Sequence, residues 1–320
     1  MRRKILWLTS SVASLALLAL VVAQVNWQSA KTIIDDINYL WVAVGIGLLI
    51  IEGLITAARF SLLAMTPVRF IDCLRATAWY VLLLIGLPAR LGEIAGIAVI
   101  VKHMGQRTGA ATASLLFQRL FDMIVLTAVL ILICVLVTSE NSELPMLFSI
   151  VAAMGLFTVV LCMDRLLAIA AQPFLRRRTE IWPRRILRLL LQVRMVSRHH
   201  FDRSRTLKLG GYTLAKWLVN LAAIGCIVSA VVPAMKSLTA LGVGIVYNLS
   251  AVIPIQTIGG IGISESVLLG SFVWLGYSLE MGAPIAIAIR LALISAPILF
   301  WLFVMLLGRR RTTVFLDNKP

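Results

Sequence analysis

The sequence predicts an all-α polytopic membrane protein: about six full transmembrane helices plus two re-entrant hairpins, arranged as an inverted repeat. Three observations carry this prediction. Apolar residues make up 60% of the 320-residue chain and charged residues only 14%, against roughly 45–50% and about 25% in a soluble domain. The apolar residues fall in runs of about 20, the length that crosses a hydrocarbon core about 30 Å thick. Basic residues gather in a few loops, which sets which segments cross and in which direction. A mean hydropathy of +0.97 excludes a disordered chain and argues against a soluble enzyme. A transmembrane barrel would alternate over segments of about 10 residues, and no such pattern is present.

The net charge of +16 comes from 30 Lys and Arg against 14 Asp and Glu. In an apolar chain this reads as basic loops facing anionic headgroups rather than as a nucleic-acid surface. Cys73, Cys134, Cys162 and Cys226 are widely spaced, without a CxxC or a Cys/His cluster. They read as apolar filler, with no disulfide or metal framework.

Arg2, Arg3 and Lys4 precede an apolar run from Ile5 to Val25, longer than a signal peptide and without a clean cleavage site. It is read as a retained helix with its N-terminus in the cytoplasm, and residues 1–38 comprise this helix and an outer loop, Asn26 to Asn38. The first repeat covers 39–138. Its opening helix, Tyr39 to Phe60, returns to the cytoplasm, where Arg59, Arg69 and Arg75 collect. A linking helix lies in 139–163. The loop 164–210 carries twelve basic residues against three acidic ones, so it lies inside. Within it, Arg184 to Arg198 mixes apolar and basic residues and suits a helix on the inner leaflet. His199 and His200 have no partner at metal-ligand spacing and read as loop residues.

Counting back from that loop, Ser139–Pro145 is outside, while Lys102, His103 and Arg107 are inside. Arg69 and Arg75 are inside already. The 26 residues from Ala76 to Val101 therefore begin and end on the same side, too few for two full crossings. They fit a re-entrant hairpin of two half-helices, broken at Pro88-Ala89-Arg90-Leu91-Gly92-Glu93. Proline removes a donor and glycine loosens the chain there. Non-helical backbone at membrane depth survives only beside protein or a water-filled cavity.

The second repeat, 211–307, repeats this argument upside down. Tyr212–Val232 leaves the cytoplasm, and the last helix, about Gly282–Leu307, returns to Arg309, Arg310 and Arg311 in a cytoplasmic tail, 308–320. The segment 237–277 then starts and ends outside, interrupted from Pro254 to Glu265. A second re-entrant hairpin or two full crossings satisfy this parity, and the break has no basic residue to mark a cytoplasmic turn. Glu93 precedes Arg119 by 26 residues and Glu265 precedes Arg290 by 25. Broken helices in inverted repeats are an architecture of secondary transporters.

Six ionisable residues in these spans are the candidate substrate-binding set: Arg90, Glu93, Arg119, Asp122, Glu265 and Arg290. Each costs about 2.5–3.5 kcal/mol to insert, before pairing. Arg119 and Asp122 are i,i+3 on one helix face, and Arg90 and Glu93 share that spacing. A structural ion-pair network is one reading. A site for a phosphate or other anionic headgroup is the other, since the guanidinium fork binds phosphate bidentately. Glu52, two turns before Arg59, is a further candidate to face the cavity. Lys216 can snorkel to the interface. Trp27, Trp41, Trp79, Trp217 and Trp274 read as interfacial anchors. Gly92 and Gly96 form a GxxxG suited to close helix packing. No hydrolase triad, HExxH or metal pair is present, so no catalytic residue, metal or cofactor is expected.

The segments Pro88-Ala89-Arg90-Leu91-Gly92-Glu93, Gln118-Arg119-Leu120-Phe121-Asp122, Gly259-Gly260-Ile261-Gly262-Ile263-Ser264-Glu265 and Arg290 resemble the flippase-like membrane family. That family is also called the lysylphosphatidylglycerol synthase transmembrane-region family. Its pattern is P-x-R-x-G-E, then E-R-x-x-D, then P-G-G-x-G-x-x-E, and the resemblance covers about residues 5 to 307. Gln118 stands where the family usually has Glu, and Thr257-Ile258 precede the glycines where proline is frequent. The soluble aminoacyl-transferase domain of the multi-domain members is not found in this sequence, so lipid aminoacylation is not expected. The resemblance implies movement of lipids between leaflets: phospholipids, hopanoids or polyprenyl-linked glycans. The alternative is a non-transporting membrane scaffold or accessory subunit that holds a glycosyltransferase or lipid-modifying enzyme through the 164–210 loop. Either reading places the chain in the cytoplasmic (inner) membrane, with both termini cytoplasmic.

The hairpin reading has a direct test. A single cysteine at position 90 or 93, in a cysteine-free background, should react slowly with a membrane-impermeant thiol reagent, and from the cytoplasmic side only. Labelling from outside, or as fast as an open loop, removes the first hairpin.

Overall fold

The structure is a computed structural model and describes residues 27–87, 91–137, 203–250 and 260–309. Several expectations lie outside these residues: the Ile5–Val25 helix, Arg90, the linking helix 139–163, the basic helix 184–198, His199, His200, residues 254–259 of the second break, and the tail beyond 309. Among the described residues the fold is entirely helical. In order, the helices are α1 (Trp27–Asp36), α2 (Tyr39–Leu63), α3 (Phe70–Gly86), α4 (Leu91–Met104), α5 (Thr108–Val137), α6 (Arg203–Val231), α7 (Ser237–Ser250), α8 (Ile263–Trp274) and α9 (Leu279–Arg309). Four of them, within α2, α5, α6 and α9, are long and apolar enough to cross a membrane.

Each half runs long, short, short, long. The helix lengths are 25, 17, 14 and 30 residues in α2–α5, and 29, 14, 12 and 31 in α6–α9. The short pairs fall where the sequence places its interrupted segments. The breaks are narrower than the motifs suggest, because Glu93 and Glu265 already lie in the first turns of α4 and α8.

Two boundaries differ from the sequence reading. The expected outer loop before Asn38 contains α1. Ile33 packs into the core while Lys31, Thr32, Asp35 and Asp36 stay exposed, so a short amphipathic helix buries what a loop would leave in water. Asn38 N–H then donates to Ala230 O at 3.0 Å, fastening the entry to α2. The helix expected from Tyr212 begins nine residues earlier, at Arg203. Helical backbone satisfies its own hydrogen bonds and need not stop at the hydrocarbon edge. Leu209 on this extension is buried with Leu63, Ala110, Ala113 and Phe117.

The chain divides into two compact units, Met1–Leu54 with Thr77–Gly96 and Leu218–Pro320, and Ile55–Ala76 with Ile97–Trp217. The first is centred on Ile227 and Val228 of α6, Val243 of α7, Leu268 and Phe272 of α8, and Ile285 and Ile289 of α9. The second is centred on the cluster around Phe117 and Leu63.

In the first unit residues 77–86 of α3 and 91–96 of α4 pack antiparallel. A Cβ on Gly92 would sit 2.5 Å from Leu83 O and 2.7 Å from Leu84 Cα, and one on Gly96 would sit 2.4 Å from Cδ2 of Tyr80. The partner number falls as the glycine number rises, as in a hairpin. The GxxxG thus serves intramolecular helix packing. Trp79 stacks edge-on against Trp301 with centroids 5.4 Å apart, so it is a packing residue rather than an interfacial anchor. Trp41 and Trp274 are exposed, as anchors require.

Gly92→Ala forces backbone against backbone and should destabilise by about 1–3 kcal/mol. Gly47→Ala, where nothing lies within 4 Å of the added Cβ, should be neutral or stabilising by up to about 1 kcal/mol. Melting temperatures of the two variants, purified in one detergent, check this.

Candidate functional site

The polar residues of the apolar helices fall into one constellation in each unit. In the first unit, α8 starts from a glycine turn. Gly260 and Gly262 have φ of 68° and 88°, left-handed values that side chains resist. Gly262 N–H donates to Glu265 Oε2 at 2.6 Å, so the carboxylate caps the helix it belongs to. Its other oxygen, Oε1, lies 3.3 Å from Arg290 Nε of α9. Arg290 Nη1 donates to the Tyr247 hydroxyl of α7. Glu265 is 3% exposed and Arg290 8%. One guanidinium therefore ties α9 to both α7 and α8. A Cβ on Gly260 would sit 2.8 Å from Ser264 Oγ and 3.4 Å from Arg290 Nη2, so the turn lies close against the start of α8 and demands glycine there.

A second chain of hydrogen bonds runs beside Tyr247 in sequence. Asn248 Nδ2 donates to Gly244 O at 3.0 Å and to Asn220 Oδ1 at 2.8 Å. Asn220 Nδ2 donates to Glu52 Oε2 at 2.9 Å. These bonds join α7, α6 and α2. Glu52, Asn220, Asn248 and Tyr247 are all half-buried. Glu93, also half-buried, lies in the same unit.

In the second unit, Asp122 of α5 is the hub. Arg59 Nη1 lies 2.9 Å from Asp122 Oδ1, and Lys216 Nζ lies 3.5 Å from the same oxygen. Trp217 Nε1–H donates to it at 3.1 Å. Arg59 Nη2 also donates to the Gln118 carbonyl at 3.0 Å. Arg59 is fully buried and Asp122 7% exposed. Lys216 sits over the Trp217 ring, 4.1 Å from its centroid.

This corrects three sequence expectations. Arg59 is not a cytoplasmic loop residue; the last turns of α2 carry it into the core, where Asp122 compensates its charge. Lys216 turns inward to the same carboxylate. Trp217 is a buried hydrogen-bond donor rather than an interfacial anchor. Asp122 meets its closest counter-charges on α2 and α6, a pairing that the i,i+3 spacing to Arg119 does not anticipate, while Arg119 stays within electrostatic range.

Asn220, Asn248 and Tyr247 escaped the sequence reading. The usable signal was an amide in an otherwise apolar span, which must find a hydrogen-bond partner on a neighbouring helix. Near the basic end of the second unit, burial first, then Asp72, pushes the Cys73 thiol up to about 11, so it stays protonated and unreactive. Burial first, then Lys102 and Arg75, holds His103 below its ordinary value, so it is neutral at pH 7. Among the described residues no group of three or more His, Cys, Asp or Glu is placed to hold a metal ion.

The sequence model of the family described as "Lysylphosphatidylglycerol synthase TM region" matches residues 7–304. No curated protein and no solved structure matches the chain.

Removing one member of a buried ion pair strands the other and costs about 3–5 kcal/mol, whereas removing both can be nearly neutral. Asp122→Ala, which removes the carboxylate that Arg59 and Lys216 share, should therefore destabilise by about that amount, and Arg59→Ala/Asp122→Ala should recover part of it. A double-mutant cycle on unfolding in detergent measures the coupling. Additive losses would show that the two side chains do not pair.

Proposed function

The chain belongs to the lysylphosphatidylglycerol synthase TM-region family, and from that premise we propose that it is a flippase-like membrane protein that moves lipids with anionic or phosphate-bearing headgroups between leaflets. The observation that carries this reading is Arg290, a buried cation held at the second helix break by Glu265 and Tyr247. A phosphate oxyanion entering there can take over the guanidinium from Glu265. The cation is then paired before, during and after the exchange, and Glu265 keeps the Gly262 N–H as a donor while the headgroup is bound. When the headgroup leaves, Glu265 neutralises Arg290 again.

In this reading the two breaks belong to an inverted repeat, with the chain multi-pass in the cytoplasmic membrane and both termini inside. Arg90, Glu93, Arg119 and Asp122 are the first repeat's counterparts to Glu265 and Arg290. Arg59, Lys216 and Trp217 hold Asp122 in place, and Glu52, Asn220 and Asn248 supply neutral and acidic hydrogen-bonding groups to the polar part of the headgroup.

The test is reconstitution into liposomes with a leaflet-resolved assay of a fluorescent anionic phospholipid. Wild type should translocate above protein-free vesicles. Arg290→Ala, checked for folding by its melting curve, should retain less than about a tenth of that rate, since a lost charge-assisted pair is worth more than about 1.4 kcal/mol. Arg290→Lys should fall between, because it keeps the charge and loses the fork. If folded wild type moves no lipid, the scaffold or accessory-subunit reading replaces translocation.

A further inference from the structure

A cavity of about 520 Å³ opens in the second unit, lined by the 61–68 segment where α2 ends and by Arg205 of α6. Its size is within the roughly 300–1,000 Å³ of small-ligand sites. The wall made by the chain after α2 is braced. Gln106, only 4% exposed, accepts from Met65 N–H at 3.1 Å and donates to Thr66 Oγ1 at 2.8 Å. A buried carboxamide that spends both ends on a short connector holds that connector in one shape. The lining is two-faced: Leu62, Met65, Pro67 and Val68 are apolar, whereas Thr66 and Arg205 are polar, and Arg205 is exposed.

The electrostatic setting has one sign. The unit's residues 61–76, 97–110 and 203–210 contain seven Lys and Arg and one acid, Asp72. Asp72 is occupied by Arg69 at 2.9 Å and Arg75 at 3.6 Å. Basic ends of this kind face the anionic cytoplasmic leaflet.

We propose that this cavity binds the phosphate-glycerol headgroup of an anionic phospholipid of the inner leaflet, with Arg205 on the phosphate and the apolar wall on the glycerol and the first acyl methylenes. Charge complementarity selects the anion. The apolar wall selects a lipid over a free phosphate ester, which has nothing to lay against it. Gln106 is a positioning residue that keeps the wall formed. The proposal concerns binding at a site separate from the Arg290 constellation and does not depend on translocation.

The experiment uses the full chain in phosphatidylcholine bicelles, titrated with phosphatidylglycerol or with soluble glycerol phosphate. Retained lipid is read by native mass spectrometry and stability by melting temperature. Wild type should prefer phosphatidylglycerol over phosphatidylcholine by about tenfold, the scale of one charge-assisted hydrogen bond. Arg205→Ala should lose most of that preference, and Gln106→Ala should weaken it with no change of charge. Arg69→Ala, which removes the same charge outside the cavity, should keep it. Equal losses in Arg205→Ala and Arg69→Ala would show a diffuse basic field and overturn the site. Equal stabilisation by glycerol phosphate and phosphatidylglycerol would overturn the lipid assignment. These readouts measure binding alone, so a wild-type protein that binds here yet moves no lipid would sink translocation and leave this site standing.

Discussion

An ionised side chain inside an apolar helix has to find its counter-charge on another helix, and that requirement organises this protein. Asp122 joins α5 to α2 through Arg59 and to α6 through Lys216. Arg290 joins α9 to α8 through Glu265 and to α7 through Tyr247. Left unpaired, any of these groups would carry a cost of several kcal/mol. Paired, they select which helices are neighbours, because apolar side chains facing lipid or other apolar side chains discriminate partners weakly. The cores around Ile227 and Phe117 supply area, and the ion pairs supply the register.

The second constraint is backbone that cannot be helical. At the second break the chain turns through two left-handed glycines, and Glu265 caps the helix that follows. The same carboxylate then serves Arg290, so helix capping and charge pairing depend on one side chain. At the first break the requirement is met by close packing instead, with Gly92 and Gly96 letting α4 lie against α3.

The two constellations differ in kind. The Asp122 group is buried and built from tight charge pairs around one oxygen, the form of a fixed joint. The first unit's group sets the buried Glu265–Arg290 pair beside half-buried Glu52, Asn220, Asn248 and Tyr247, and lies beside a glycine turn. A site that must exchange partners is better served by the second form, because neutral donors and acceptors can be traded for ligand groups without stranding a charge.

The sequence by itself determined the class of protein and the positions of its helices. Apolar run length matches the bilayer, and Pro and Gly mark where a helix cannot continue, so α2, α5, α9 and the two short pairs were legible to within a few residues. The close GxxxG contact was legible for the same local reason. The tertiary structure alone decided the partners. Arg59 and Asp122 are 63 residues apart in the chain, Lys216 and Trp217 lie on a third helix, and the Glu52–Asn220–Asn248 bonds bring in α7 as a fourth. Spacing along one helix reports only which side chains share a face. Which of two neighbouring cations a carboxylate takes is settled by the helix that packs across from it, and that choice depends on contacts distributed over the whole bundle.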